Sequence, residues 1–252
     1  MSLKFPISLV GNRVAGTPTP LHWWDLDDLT VGLTDQGDGT NDMSLTNVGS
    51  NVDTSDAPDG GDSILIAASN QYLHTLNNFA WDGSGNEASW AAWFKCESQS
   101  SLINSILTWR GANSTTPRII QIDVQNSTAD IARTIIFDDD SSDDLIVTKG
   151  TSEVSPATPS WFHVVGVFDG VDTVEIFVNG TSEGAATNTS FGIIEQSTSP
   201  FAIGAASWDK QAASVHHDGN VWACGIWDEA LQQDDIDALY NSGSGAKYAD
   251  LW

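Results

Sequence analysis

The chain has 252 residues, 40% of them hydrophobic, which is typical of one large β-sandwich or of two small domains. Nine Lys and Arg stand against 34 Asp and Glu, and the net charge of −25 argues against nucleic acid or anionic membrane surfaces as partners. Of the acids, 27 are Asp and seven are Glu. Because Asp favours turns and Glu favours helices, this bias predicts a loop-rich β fold.

The sequence predicts an N-terminal arm over residues 1–20 and a single domain over residues 21–252. The arm joins a short apolar segment to a stretch of Gly, Pro and Thr, and we expect it to pair on a sheet edge or to contact a partner protein. It is a poor signal peptide, and no apolar run in the chain reaches the length of a transmembrane helix. Membrane insertion is therefore not expected.

Short apolar runs separated by Gly, Pro, Asn and Asp predict about a dozen strands. These runs are Met43–Val48, Ser63–Ala67, Gln71–Leu76, Ala88–Cys96, Leu102–Trp109, Arg118–Val124, Ile131–Phe137, Leu145–Thr148, Trp161–Phe168, Thr173–Val178, Ala185–Ile194, Pro200–Ser207 and Asn220–Trp227. One helix is predicted over Leu231–Tyr240, where Gly243 follows as a stop signal. Because strands do not alternate with helices, the pattern predicts an all-β fold, a two-sheet antiparallel jelly-roll-like sandwich with one short C-terminal helix.

A hairpin is the most clearly defined local prediction. Trp161–Phe168 is apolar on both faces, which is typical of a strand in the middle of a sheet, and Asp169-Gly170 supplies a turn. Thr173–Val178 alternates between apolar and polar residues and ends at a second turn, Asn179-Gly180. His163 on the first strand is interpreted as a core histidine rather than a catalytic one.

Asp35, Asp38 and Asp42 lie in a Gly- and Asp-rich loop before the first predicted strand. Their carboxylates give the oxygen density that calcium binding needs, which makes them candidate calcium ligands. The EF-hand spacing is absent, because Thr46 stands where its last acidic ligand would be. The alternative is an Asx-rich turn. No cofactor is required by the prediction, and calcium is the ion that these residues would bind.

A lectin-like surface is predicted around the loop that precedes the last strand. Exposed aromatic rings stack on the apolar faces of sugars, and neighbouring polar groups bind the hydroxyls. The alternative is that these tryptophans cover the rim of the core and that the two adjacent histidines are an ordinary loop pair. The candidate ligand-binding residues are Trp208, Asp209, His216, His217 and Trp109.

The sequence carries no pattern typical of an enzyme active site. Retaining glycosidases need two carboxylates about 5 Å apart, yet the seven Glu are scattered singly. Nucleophile-elbow, zinc-protease, P-loop and dinucleotide motifs are absent from the sequence. We therefore predict a non-catalytic protein. Cys96 and Cys224 both fall in predicted strands, where two buried thiols are favoured over one disulfide.

Several spaced motifs resemble a LamG-like domain of the concanavalin A-like lectin/glucanase superfamily. They are ASWAAWFK (88–95), WFHVVGVFDG (161–170), VEIFVNG (174–180), FAIG (201–204) and DGNVWACGIWDEALQQDDIDALY (218–240), with LTDQGDGTNDMSLTNVGS and ASNQYLHTL in the front half. The resemblance spans about residues 20–243 and implies a two-sheet sandwich that binds carbohydrate or protein partners, often with calcium. Where many members carry an acid associated with calcium in the last strand, this chain has Trp222, which weakens the calcium inference from the family.

We expect a non-catalytic, lectin-like binding or structural module whose partner is a glycan or a capsid or tail protein. A place on a virion surface, as a phage decoration or tail component, is favoured by the acidity, the arm and the single-domain length. The alternative is a secreted bacterial carbohydrate-binding or adhesion module that leaves the cell by a non-classical route. A glycoside hydrolase is the third alternative.

Overall fold

The computed structural model of the protein describes most of the chain. The described residues are 17–37, 39, 42–46, 52–67, 70–75, 79–80, 87–97, 103–110, 118–126, 130–138, 145–154, 159–192, 198–199, 201–205 and 216–252. In these ranges no helix is long and apolar enough to cross a membrane.

The described ranges contain seventeen strands and two α-helices. The strands are β1 His22–Trp24, β2 Met43–Thr46, β3 Val52–Asp53, β4 Ser63–Ile66, β5 Tyr72–Thr75, β6 Phe79–Ala80, β7 Ala88–Cys96, β8 Ile103–Arg110, β9 Arg118–Asn126, β10 Asp130–Phe137, β11 Leu145–Glu153, β12 Trp161–Phe168, β13 Thr173–Val178, β14 Thr181–Thr187, β15 Thr198–Ser199, β16 Phe201–Ile203 and β17 Gly219–Trp227. The helices are α1 Gln233–Tyr240 and α2 Tyr248–Leu251, and short 3₁₀ turns cover Val31–Leu33 and Asn241–Gly243.

Two antiparallel sheets form the sandwich. The eight-stranded sheet has the order β14-β13-β12-β7-β17-β4-β3, with β1 also paired to β17, and the seven-stranded sheet has the order β11-β10-β9-β8-β16-β5-β2. Strands β6 and β15 make a separate short pair. Buried side chains from the inner faces of both large sheets make one apolar core, in which Trp90 of β7 and Trp109 of β8 are fully buried. The predicted all-β sandwich with one short C-terminal helix is confirmed, because α2 is only a four-residue turn.

The predicted hairpin is present as β12 and β13, with Val165 opposite Phe177. Asp169 shapes its turn, because one carboxylate oxygen accepts the backbone N–H groups of residues 171–173 at 2.9–3.0 Å. Gly170 takes the positive φ of 79° that this turn requires. The hairpin therefore forms where turn chemistry and apolar patterning agree.

Two of the predicted strands show the clearest errors in their boundaries. The strand expected over Ala185–Ile194 is instead β14, which begins at Thr181, while residues 188–192 form a turn and its approach. The strand expected over Leu145–Thr148 continues to Glu153. Both missed stretches are polar and lie at sheet edges, where a strand needs no apolar alternation because one side of it faces solvent.

A second apolar cluster covers part of the outer face of the eight-stranded sheet. Trp93, Trp222 and Trp227 of the sheet pack against Ile236 and Leu239 of α1. His163 lies in the same layer, 2% exposed, with its ring stacked on Trp93 at a centroid distance of 4.9 Å. The interpretation of His163 as a core residue is confirmed, and so are the two buried free thiols.

The described end of the N-terminal arm is fixed to the domain. Trp252 Nε1 donates to the carbonyl oxygen of Thr17 at 2.9 Å, and Trp227 Nε1 donates to that of Pro18 at 3.0 Å. Residues 1–16 of the predicted arm lie outside the described residues. The chain therefore enters the sandwich beside its own C-terminus.

Candidate functional site

The outer face of the seven-stranded sheet is the candidate functional site. Successive side chains of a strand lie on opposite faces, so residues that alternate with the core residues of β8, β9 and β10 point away from the sandwich. The strand register places Thr108 of β8 beside Gln121 of β9. One step along the same face, Ser105 of β8, Asp123 of β9 and Arg133 of β10 lie side by side.

An ion pair fixes the centre of this face. Arg133 Nε donates to Asp123 Oδ1 at 2.6 Å and Arg133 Nη2 donates to Oδ2 at 2.8 Å, while Gln121 Nε2 donates to Oδ2 at 2.6 Å. Burial raises the pKa of Asp123, and the Arg133 and Gln121 hydrogen bonds partly offset that rise. A bidentate pair locks the planes of both groups, so this part of the sheet is a rigid polar surface.

Two hydroxyl groups beside the ion pair have no hydrogen-bond partner. The side chains of Ser105 and Thr108 are 0% and 1% exposed, and neither Ser105 Oγ nor Thr108 Oγ1 makes a hydrogen bond. An unpaired buried polar group costs about 1–3 kcal/mol, and most such groups in proteins are satisfied. Among the described residues, both hydroxyls therefore keep an unused capacity for hydrogen bonding beside the ion pair.

The same face continues to β5, where it becomes partly aromatic. His74 lies in the row that leads to Thr108, because both residues are opposite Ala202 of β16. The rings of Tyr72 and His74 are 5.7 Å apart, and both side chains are half-buried. The face thus combines hydroxyl, amide, charged and aromatic groups, the groups that ligand-binding sites commonly use.

Most of the predicted ligand residues are not on an open surface. Trp109 is fully buried in the core, so the expectation that its ring stacks on a ligand is wrong. His217 is also fully buried, with Nε2 3.2 Å from the carbonyl oxygen of Asn220. Burial lowers the pKa of His217 to about 4, so the ring is neutral at pH 7 and does not meet a surface ligand.

Of the other three residues of the predicted lectin-like surface, the structure describes one. His216 is buried, with 9% of its surface exposed, and it already has an interaction partner. Trp208 and Asp209 lie outside the described residues. Their role in ligand binding stays a prediction. Their aromatic and polar side chains made these residues candidates for a ligand surface. Two of the three described members of the set, Trp109 and His217, are nevertheless fully buried.

The structure shows a turn at the predicted calcium loop. Asp35 is buried, and its Oδ1 accepts the backbone N–H of Gly37 at 3.1 Å, which is an Asx-turn contact. Its Oδ2 lies 2.7 Å from Nδ1 of His22. Asp42 Oδ1 accepts the backbone N–H of Asp35 at 3.1 Å, and Asp38 lies outside the described residues. Calcium binding by this set stays a prediction.

The structure brings together a second group of acidic side chains, which the sequence does not predict. Carboxylate oxygens of Asp53, Asp56 and Glu97 lie within 4.8 Å of one another. The Lys95 ammonium contacts Asp56 and lies 3.2 Å from Glu97. Burial lowers the pKa of Lys95, but its bonds to these two acids outweigh that effect and raise the value overall. The lysine therefore supplies a positive charge to the group.

Trp161 and Asn220 complete the surroundings of this acidic group. Trp161 Nε1 donates to Asp56 at 3.2 Å, and Asn220 Nδ2 donates to Asp53 at 2.8 Å. Because Asp53 ends β3, Asp56 lies in the loop after it and Glu97 directly follows β7, their spacing in the sequence gives no signal of this proximity. Such a group can be predicted only when the pairing of the strands that bring the three acids together is known.

Several solved structures share this architecture. The botulinum neurotoxin serotype G binding domain superposes with a TM-score of 0.60 at 13% identity, covering 88% of this chain and 50% of that chain. Domain 4 of AbnA, a GH43 extracellular arabinanase from Geobacillus stearothermophilus in complex with arabinotriose, superposes with a TM-score of 0.56 at 17% identity, covering 90% and 98%. The heptameric SAP-like pentraxin from Limulus polyphemus gives 0.51 at 19% identity, covering 67% and 75%.

These similarities show the fold alone, and the chain spans about half of the length of the toxin binding domains. No curated protein sequence matches the chain significantly. Residues 47–237, most of the chain, match the sequence profile of the Concanavalin A-like lectin/glucanases superfamily. With the two-sheet antiparallel sandwich described above, this match shows that the chain belongs to the concanavalin A-like lectin/glucanase superfamily.

Proposed function

We propose that this protein is a non-catalytic carbohydrate-binding module and that the outer face of the seven-stranded sheet is its binding surface. The observation that carries the proposal is the polar row of Ser105, Thr108 and the Asp123–Arg133 ion pair on this face, which the half-buried rings of Tyr72 and His74 continue. A sugar hydroxyl donates and accepts at the same time, so it satisfies such groups without bringing in a charge.

The charges on this face favour a neutral glycan. Asp123 and Arg133 neutralise each other through two hydrogen bonds, so neither is available to pair with an ionic ligand. The protein as a whole carries a net charge of −25, which repels polyanions. Among the similar structures, one is the arabinanase domain in complex with arabinotriose, which this chain covers almost entirely. Neutral pentose polymers, arabinan first, are therefore the ligands to test.

The test is affinity electrophoresis of the full chain through gels that contain neutral polysaccharides, followed by calorimetry with oligosaccharides of the retarding polymer. Thr108→Val removes the unpaired hydroxyl and keeps the side-chain shape. We expect about tenfold weaker binding and unchanged or higher stability, because the hydroxyl has no partner in the folded chain.

Thr134→Val is the matched control. Thr134 is also fully buried with an unpartnered hydroxyl, but it lies on the core side of β10, opposite Ile122. This variant should bind as the unaltered protein does. Equal affinity of the Thr108 variant and the unaltered protein would contradict the proposed surface, and no retardation in any polysaccharide would contradict the proposed function. Loss of binding in Trp208→Ala alone would place the site on the loop.

The cellular context is also proposed. A virion surface, as a decoration or tail component, and secretion as a bacterial adhesion module are both compatible with a glycan-binding sandwich. In the first context the arm would contact the particle, and its described end is fixed to the domain through Thr17 and Pro18. Deletion of residues 1–16 should impair assembly onto particles and leave glycan binding unchanged. Unimpaired assembly would remove the arm from this proposal.

A further inference from the structure

A cavity lies on the other side of the sandwich, between the β12–β13 hairpin and the segment that enters α1. Its volume is about 340 Å³. Val167, Phe177 and Leu231 line it with apolar groups, and Asp169 and Glu175 line it with carboxylates. The apolar side chains are almost fully buried, whereas Asp169 is exposed and Glu175 is half-buried. The cavity thus has an apolar floor and an acidic wall.

Each of the two carboxylates keeps one oxygen available. Asp169 uses Oδ1 to accept the backbone N–H groups of residues 171–173, and Glu175 uses Oε1 to accept the Ser182 hydroxyl. Within the part of the chain that the structure describes, the second oxygen of each makes no hydrogen bond or ion pair. Both acids are therefore held in place by the fold and still able to pair with a cation.

None of the described residues that line the cavity is basic, and the remaining ones are Thr173, Ala230, Gln232 and Gln233. Gln232 and Gln233, at the start of α1, line the cavity, and a helix N-terminus alone would favour an anion. Asp234 and Asp235 in the first turn of α1 offset the effect. The electrostatic potential of the cavity is therefore negative, in a protein that is strongly negative overall.

We propose that this cavity binds the basic side chain of a partner protein. The aliphatic stem of a lysine or arginine fits an apolar floor, while its charged end pairs with carboxylates at the rim. This binding site is separate from the glycan surface, because the two lie on opposite sheets of the sandwich. The inference does not depend on the proposed function.

The experiment is a nuclear magnetic resonance titration of the full chain with Nα-acetyl-lysine methylamide. The neutral isostere, Nα-acetyl-norleucine methylamide, separates the charge from the apolar stem. We expect the lysine probe to shift amide signals of residues 167–177 and 230–233, and the norleucine probe to leave them unchanged. Glu175→Gln keeps the side-chain shape and should weaken the lysine probe about fivefold.

Asp228→Asn is the matched control, since it removes one exposed negative charge that does not line the cavity. It should keep the affinity within about twofold. Equal binding of both probes, equal weakening by both variants, or no shifts in the cavity would each overturn the proposal. Tighter binding of the free diamine cadaverine than of the lysine probe would reassign the cavity to a small amine and overturn the partner.

Discussion

Burial decides the chemistry of single residues in this sandwich more than their position in the sequence does. His163 and His217 both lie in apolar layers, and burial lowers their pKa values from 6.5 to about 3 and about 4. The folded protein therefore keeps both rings neutral at pH values where the unfolded chain protonates them. Protonation then favours the unfolded chain, so folding stability is lost as the pH falls from about 6.5 towards 4 and then 3.

The first prediction uses His163→Phe, which keeps an aromatic ring in the stack with Trp93. Between pH 6 and pH 4.5 the free energy of unfolding of the unaltered protein should fall more steeply than that of the variant. The difference in slope should approach one proton, about 1.4 kcal/mol per pH unit. Urea denaturation at several pH values measures it, and parallel slopes would show that His163 does not contribute to the pH dependence.

The second prediction concerns a glycine in the core. A Cβ on Gly166 of β12 would lie 2.2 Å from Thr134 Oγ1 and 2.6 Å from Trp90, which is closer than packed atoms approach. Gly166→Ala should therefore destabilise the protein by about 1–3 kcal/mol in urea denaturation. Gly192→Ala is the control, since its nearest neighbour would be 3.8 Å away. Comparable losses in both variants would contradict the packing described for Gly166.

At the scale of strands, Glu183 is one of the side chains that join the edges of the two sheets. Glu183 of β14 accepts the backbone N–H groups of Thr151 at 2.6 Å and Ser152 at 2.9 Å, and also the Ser152 hydroxyl. These groups belong to the edge strand β11, where unpaired N–H groups otherwise invite pairing with another chain. One carboxylate therefore protects the edge and ties the sheets together.

The third prediction follows from this contact. Glu183→Ala should lower the free energy of unfolding by about 1–2 kcal/mol and increase self-association, because the N–H groups on β11 lose their acceptor. Glu153→Ala, an exposed change on the same strand, should leave both properties almost unaltered. Urea denaturation and analytical ultracentrifugation measure the two effects. If the Glu183 variant behaves like the Glu153 variant, the carboxylate does not protect the edge.

How far the sequence predicts an element depends on whether the cause is local. The hairpin of β12 and β13 could be predicted because its turn residues and apolar alternation are contiguous. The bounds of β14 could not be predicted, because its residues are polar and its position depends on the contact between Glu183 and the edge strand β11. The candidate site depends even less on residues that are close in the sequence. Thr108, Asp123 and Arg133 are brought to one face by the pairing of three strands.

At the scale of the whole molecule, charge is the dominant feature. A net charge of −25 opposes compaction through repulsion among the acids, and salt screens that repulsion. The fourth prediction is a melting temperature that rises between 0.02 and 0.2 M NaCl and then levels off, as screening saturates. Calorimetry measures it. A melting temperature that is flat or falls over that range would show that repulsion does not limit stability.

The outer faces of the two sheets differ in chemistry. The eight-stranded sheet carries an apolar outer layer under α1, whereas the outer face of the seven-stranded sheet carries the buried ion pair and the unpaired hydroxyls. Superfamily membership accounts for the sandwich, and residues particular to this chain make the proposed site. The outer face of one sheet is therefore mainly apolar and that of the other mainly polar.

The most direct test of the glycan surface is chemical-shift mapping of the labelled protein with the tightest-binding neutral oligosaccharide. The account predicts that the largest changes lie on the outer face of the seven-stranded sheet, at Ser105, Thr108, Gln121 and Arg133, and that Thr108→Val reduces them. Changes concentrated in residues 206–219, or on the outer face of the eight-stranded sheet, would contradict it.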